Sequence, residues 1–533
     1  MTIFDVIKTK ILSFLRIIKL NGNPNNERLT YISDSEAIRR SAIKANRIWY
    51  LGDGDELLNW YTNQQSYGFA KNPIYNRNKR QYFWSRSVDE NVKRIHSGIP
   101  KAIVDNISNI VGIPEINAGI YNDTLKAIYE ANDFDYLLGQ KARPMTLVEG
   151  DGAWKININP MLSKHPLLEY YCADDWGPIY KSSVLIGMYF LSYYKDDKGD
   201  DYVLYEIRSK RPEGLAVEYN LYKLFDENMI ERVSLDKISQ LSELEDRLYQ
   251  GINSLLAIPN KYYYNPLYAN RGKSIFDGKL DLFDFLDEIL TQSGQTNRVS
   301  TPVEYYPVDL LQRTKNGTPV APKVYNRQFI KIDSTLNSDG NVDNRIQTTQ
   351  PDLHFDSYSI LYHDILNALL IGICSPATLG IDIGKRDNAE AQREKEKQTL
   401  FTRDLIVKQE VKIQKKLASM LLMCQEYMDT GVINDREYNI SVQYEEFANP
   451  SFESELLILG PAWNNGQIST EKFVSLLWGS KLSDEELKRE MEWLDNNRKL
   501  EDVDMDKILE RNNEIGEIRR ATDNTENILS EVQ

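Results

Sequence analysis

The stretch that most constrains the fold runs from about Asn388 to Met423. Its pattern is that of one continuous helix of roughly 35 residues, a rod about 50 Å long at 1.5 Å per residue. The first turns carry Arg, Lys and Glu nearly all round, and only later do Leu405, Ile406, Ile413, Leu417 and Leu421 supply an apolar face. Just upstream, an apolar segment stops at Cys374-Ser375-Pro376, and a short loop follows with Gly380, Gly384 and the pair Lys385-Arg386. A small, flexible, basic loop is therefore held between two long helices.

The 533 residues suffice for about two to four folded units. Hydrophobic residues at 41% and charged residues at 27% describe a globular chain rather than a disordered one. The formal charge of -15, from 64 Lys and Arg against 79 Asp and Glu, argues against broad, adhesive DNA binding. It leaves room for a protein that lets DNA slide past an acidic wall. The 32 tyrosines and 8 tryptophans are a bias common in large interaction surfaces. Cys172, Cys374 and Cys424 make no C-x-x-C, and His96, His165, His354 and His363 are the only histidines. This argues against zinc and fits a reducing cytoplasm. The first 20 residues predict an amphipathic helix with Ile3, Phe4, Ile7, Ile11, Leu15 and Ile18 on one face. That suits an arm packed on a neighbouring subunit, and also a membrane-surface helix. No apolar run is long enough to span a bilayer.

Along the chain, 34 to 112 predicts helices, with "DSEAIRRSAIKANRIWYLG" and "IPKAIVDNISNIVG" as the clearest. Residues 154 to about 264 predict an antiparallel sheet, with "YYKDDKGDDYVLYEI" as a hairpin. A strong helix returns at "GKSIFDGKLDLFDFLDEILTQSG". Its apolar face is Ile275, Leu282, Phe285, Leu286, Ile289 and Leu290, with Asp281, Asp284, Asp287 and Glu288 largely on its other sides. A turn-rich, β-rich insertion fills 297 to 350, and a second helix covers about 353 to 374. After the long helix, "EYNISVQYEEF" predicts an edge-like strand. "STEKFVSLLWG" and "LSDEELKREMEWL" predict a helix pair, the second opened by a capping box from Ser483 to Glu486.

Catalytic signatures are missing. "GIDIGKR" has a lysine before a helix, but Leu379 stands where a Walker loop needs Gly and Arg386 where it needs Ser or Thr. There is no G-x-S-x-G, H-E-x-x-H or G-x-G-x-x-G. The clusters "GDGDE" (52 to 56) and "DDKGDD" (196 to 201) lack EF-hand spacing. His354 and His363 are about half a turn off one helical face. No catalytic residue, metal site or cofactor is expected, and the chain reads as no enzyme. Two other classes stay open: a metal-dependent nuclease or phosphoryl-transfer enzyme built on the acidic clusters, and a peripheral membrane protein anchored by residues 1 to 20.

Two segments carry a resemblance, "GKSIFDGKLDLFDFLDEILTQ" and "SPATLGIDIGKRDNAEAQREKEKQTLFTRDLI". With them the chain resembles the portal proteins of tailed bacteriophages, most nearly those of siphovirus-like phages of Gram-positive bacteria. In many of these a helix ending in a G-I-S-P-x-T-L-G-like loop precedes an A-x-A-x-R-E or T-A-T-E helix start. Agreement in element order covers roughly 270 to 450, while the first 150 and last 80 residues agree only in general character.

The resemblance implies an α+β, multidomain portal fold assembling into a ring, usually of twelve, at one capsid vertex of the virion. It implies an N-terminal arm at 1–30, a wing at 31–275, stem helices at 276–296 and 352–374, and a clip at 297–351. A tunnel loop at 375–388, a long helix with return strand at 389–455, and a crown with C-terminal tail at 456–533 complete the division. The implied partners are further copies of the chain, double-stranded DNA passing through without sequence preference, the terminase large subunit, a head–tail connector, the major capsid protein and, as a further candidate, a scaffolding protein. Stable membrane association is not expected.

In such a ring an acidic wall would repel phosphates while a thin collar of cations made brief, sequence-blind contacts. Lys385 and Arg386 are the candidate DNA contacts, Pro376, Gly380 and Gly384 the candidate hinge, and Asp281, Asp284, Asp287 and Glu288 the candidate acidic wall. Pro376 is expected to set where the preceding helix stops and Asn388 to cap the next. Lys385 and Arg386 equally suit a helix C-terminal dipole or pairing with Asp382 and Asp387. The acidic residues equally suit a neighbouring subunit.

Overall fold

The computed structural model describes residues 29–30, 34–62, 82–85, 92–226, 229–300, 302–317, 319–320, 328–332, 346–349, 355–381, 389–431, 438–445, 459–463, 465–478 and 487–496. The chain divides into two compact units, Met1–Glu445 and Glu446–Gln533. It is a mixed α+β structure.

In the first unit, helices Asp34–Leu51, Gly54–Thr62 and Ile99–Val111 form where the helical spacing predicts them. They bury Trp49, Leu57, Ile103 and Ile107 in one core. That core also receives Phe283 and Leu286 from helix Leu280–Val299, Leu366 and Leu369 from helix Phe355–Leu370, and Ile406 from the long helix. A second core lies under the sheets. Trp154, Trp176 and Phe190 meet Leu417 and Leu421 there.

The sheet region runs from Asp151 to Lys261. Strands Leu29–Thr30, Met229–Val233, Gly214–Asp226, Asp201–Arg211, Val184–Lys195 and Trp176–Lys181 lie side by side in that order, with Arg247–Gln250 paired to Gly214–Asp226. The expected hairpin is present, with Lys195 opposite Asp201. Asp196 closes its turn by accepting the N–H groups of Lys198 and Asp200, each at 2.9 Å. A separate three-stranded sheet sets Asp151–Asn157 between Ala257–Lys261 and Leu167–Cys172.

The two helices around the insertion run antiparallel. Lys279, at the start of the first, donates to the carbonyls of Ala368 and Ile371 at the end of the second, at 3.2 and 3.1 Å. Thr296 near the end of the first meets Tyr358 near the start of the second at 3.3 Å. Between them, Val303–Pro307 pairs parallel with Gln328–Ile332 and antiparallel with Gln347–Thr349, and Gln312–Arg313 pairs with Pro319–Val320.

The long helix spans Ala389–Thr430, 42 residues, or about 63 Å at 1.5 Å per residue. It outruns the sequence expectation at its C-terminal end, where Cys424 is buried in the second core and Glu426 accepts the Tyr438 hydroxyl at 3.0 Å, while Ala418 and Leu422 form a third cluster with Ile440 and Val442. Strand Ser441–Gln443 then pairs with Glu115–Asn117, returning the chain to the N-terminal half.

In the second unit, helix Thr470–Trp478 and the helical residues 487–496 pack through Phe473, Val474 and Leu477 against Leu487, Met491 and Leu494. The amphipathic arm at residues 1–28, His354, the capping box at 483–486 and the tail at 497–533 lie outside the described residues.

Candidate functional site

The loop between helix Phe355–Leu370 and the long helix is the centre of the sequence reading. Its upstream helix does not run to residue 374, and Pro376 does not stop it. The helix ends at Leu370, where Gly372 adopts a left-handed φ of 79°. The N–H groups of Ile373 and Cys374 both return to the Leu370 carbonyl, at 2.9 and 3.2 Å. Pro376 instead opens a short 3-10 turn, Pro376–Leu379, closed by Gly380 at a φ of 69°. Among the described residues nothing stands where a Gly380 side chain would go, and it is the left-handed backbone conformation that calls for glycine there.

Hydrogen bonds tie the base of this loop to the long helix. The Ser375 N–H donates to Thr399 Oγ1 at 2.9 Å, and Thr378 Oγ1 meets the same oxygen at 2.6 Å. Thr402 donates to the Ile373 carbonyl at 2.6 Å and Gln398 to the Leu370 carbonyl at 2.9 Å. Pro376 therefore belongs to an anchored base, and the left-handed Gly380 stands at its downstream edge. Gly384, Lys385 and Arg386, with Asp382, Asp387 and Asn388, lie outside the described residues.

The candidate acidic wall divides into two pairs, and for one of them the expectation is overturned. Asp284 is 5% exposed and Asp287 0%, so neither carboxylate can line a bore. Asp284 accepts the backbone N–H groups of Phe83 and Trp84 at 2.7 and 3.2 Å. Asp287 accepts the Ser97 N–H at 2.8 Å and the Trp84 indole N–H at 3.1 Å, and His96 Nδ1 lies 2.8 Å away. Burial pushes the Asp284 carboxyl up to about 7, against the stabilising N–H donors and with the nearby charges of Asp287 and Glu288 adding to the rise. The physical reason for the correction is that helix Leu280–Val299 is covered on two sides. Residues 83–84 and 96–97 lie over the carboxylates, and Phe285, expected in the apolar face, is exposed instead. Asp281 and Glu288 remain at the surface, Asp281 accepting the Tyr82 hydroxyl at 2.5 Å and Glu288 the Gln292 amide at 3.1 Å.

One polar cluster escaped the sequence reading. Arg143, Glu410, Tyr262 and Tyr444 meet between the two large cores. Both phenols donate to the Glu410 carboxylate, at 2.5 and 2.6 Å. Burial and then the neighbouring Glu410 charge push both phenols up. A signal existed: Glu410 sits on the long helix's apolar stripe between Ile406 and Ile413, where a lone carboxylate demands a buried partner.

The acidic clusters act in local structure. Asp53 accepts the Asp55 and Glu56 N–H groups at 2.9 and 3.4 Å, opening helix Gly54–Thr62. Asp200 pairs with Lys223, and Asp201 with Lys195 at 3.3 Å. Among the described residues no group of three or more His, Cys, Asp or Glu is disposed to hold a metal ion, and no helix is long and apolar enough to cross a membrane. The three cysteines are unpaired, and burial pushes the Cys374 and Cys424 thiols up to about 12. No protein-family model and no curated protein matches the chain.

Proposed function

We propose that this chain is a portal-type ring subunit. It would form a channel at one vertex of a phage capsid for genome packaging and ejection, and a docking site for the terminase motor and the head–tail connector. One observation carries the reading: an antiparallel helix pair has a small β-rich insertion joining one end and, at the other, a loop whose base is hydrogen-bonded to a 42-residue helix. That arrangement holds a loop rigidly at its root while leaving its tip to the residues beyond Gly380. It is the mechanical requirement for centring a polyanion without binding it tightly, and the cations of that tip are Lys385 and Arg386.

The net charge of -15 supports the same reading, since an acidic wall with a narrow basic waist lets phosphates slide. In this proposal the wall draws on surface carboxylates such as Asp281 and Glu288, while Asp284 and Asp287 serve the fold. A ring of twelve, the number the resemblance implies, is part of the proposal. Negative-stain microscopy and mass photometry of the purified full chain test it. Closed rings with a central hole are expected, and a chain that stays monomeric at micromolar concentration removes the reading.

A further inference from the structure

The long helix turns a basic stripe to solvent. Lys408, Lys412, Lys415 and Lys416 are all exposed, and at 3.6 residues per turn they fall within one sector about 100° wide. None of the four is in an ion pair among the described residues. Phe401, 65% exposed, and Leu405 continue the same sector towards the helix start. From Phe401 to Lys416 the stripe is about 22 Å long.

A face of the opposite character lies on helix Phe355–Leu370. Asp356, Ile360 and Asp364 stand four residues apart, all exposed, with Ile371 just past the helix end. Ile360 is 62% and Ile371 68% exposed. Neither aspartate is in an ion pair among the described residues. From Asp356 to Ile371 the face is again about 22 Å long.

The two faces are alike in length, each carries two exposed apolar side chains, and their charges are opposite in sign, four lysines on one and two aspartates on the other; both are open in the same chain. Unlike, complementary patches on one molecule make a heterologous contact, which runs head to tail and closes into a ring when the rotation allows. We infer that the Lys408–Lys416 stripe of one copy docks on the Asp356–Ile371 face of a second copy. In antiparallel docking, at 1.5 Å per residue, Ile371 falls opposite Phe401, Asp364 opposite Lys408, Ile360 over the Lys412 stem, and Asp356 opposite Lys415 and Lys416. This rests on the ring reading above and names the surfaces that would build the ring. Phe401 and Leu405 favour a protein occupant over DNA, which would find no phosphate partner in them.

Charge reversal tests it on the full chain. K408E/K412E/K415E/K416E and D356K/D364K are each expected to raise the half-assembly concentration by about a hundredfold in mass photometry, and the chain carrying all six changes to recover most of the loss. Circular dichroism melts near wild type show that the fold is kept. A milder K412A/K416A variant, expected to raise that concentration about tenfold, covers the case in which four reversals disturb the fold. Wild-type assembly by the reversed chains, or failure of the six-change chain to recover, overturns the interface and leaves the ring reading standing. A wild-type chain that never assembles removes the ring reading itself. If a labelled 30-base-pair duplex binds the wild type and not the lysine variant while assembly is unchanged, the stripe belongs to nucleic acid and the inference falls.

Discussion

Arg143 and Glu410, 267 residues apart, form a two-pronged ion pair at 2.9 and 2.8 Å with both side chains 1% exposed. Arg143 also donates to the Ser108 carbonyl at 3.0 Å, while Tyr262 and Tyr444 donate to Glu410. Four segments of the first unit thus share one buried cluster with the long helix. Such a pair adds little net stability when whole, because desolvation offsets its attraction, but it punishes the loss of one member.

Glu410→Leu is accordingly expected to destabilise the first unit by about 3–5 kcal/mol, since it strands the Arg143 charge. Arg143→Met with Glu410→Leu should recover much of that. Urea unfolding of the single and double variants checks it; equal losses in both would show that packing rather than charge is at stake.

Asp284 makes stability depend on pH. Its folded value near 7 lies above the ordinary 3.8, so the folded chain binds a proton that the unfolded chain releases. The resulting stabilisation is complete below about pH 4 and is lost as pH rises through 7. Relative to Asp284→Asn, the wild type should lose up to ~1.4 kcal/mol per pH unit across that window. Unfolding curves at pH 5, 6 and 7 measure the difference, and parallel profiles would remove Asp284 as the titrating group.

Gly380 has a left-handed backbone, and no described residue stands where its side chain would go. Gly380→Ala should therefore cost about 1 kcal/mol from conformation alone, and Gly380→Asn less. Hydrogen exchange at residues 375–381 is the measurement. An unchanged protection pattern in the alanine variant would count against a strained position.

On the portal proposal, Lys385→Ala with Arg386→Ala is expected to leave assembly and melting unchanged while altering DNA packaging or retention in capsids. Normal packaging and retention would retire the pair as DNA contacts.

Much of the architecture was readable in the sequence because it follows from local periodicity. The helices Asp34–Leu51 and Ile99–Val111, the Lys195–Asp201 hairpin and the long helix each repeat one pattern over enough residues to declare themselves, whereas the short helix Gly54–Thr62 lay within a stretch read only as broadly helical. Helix ends were less legible: Pro376 looked like the stop, but Gly372 acts first, because a left-handed residue ends a helix wherever its carbonyls can be recaptured. The acidic face of helix Leu280–Val299 misled for a different reason. Periodicity separates polar from apolar sides, and it is blind to the remote residues Phe83, Trp84 and Ser97, which bring backbone and indole N–H donors to a polar side.

The sequence alone determined the order of helices, strands and insertion, because spacing of apolar residues and turn chemistry act within a few residues of each other. Tertiary structure alone decided which carboxylates are structural and which charges have no ion-pair partner among the described residues. Asp287 and Glu410 on one side, and Lys412 and Asp364 on the other, are the same kinds of residue in similar helices. What separates them is whether a distant part of the chain arrives with hydrogen-bond donors, and no local pattern encodes that arrival.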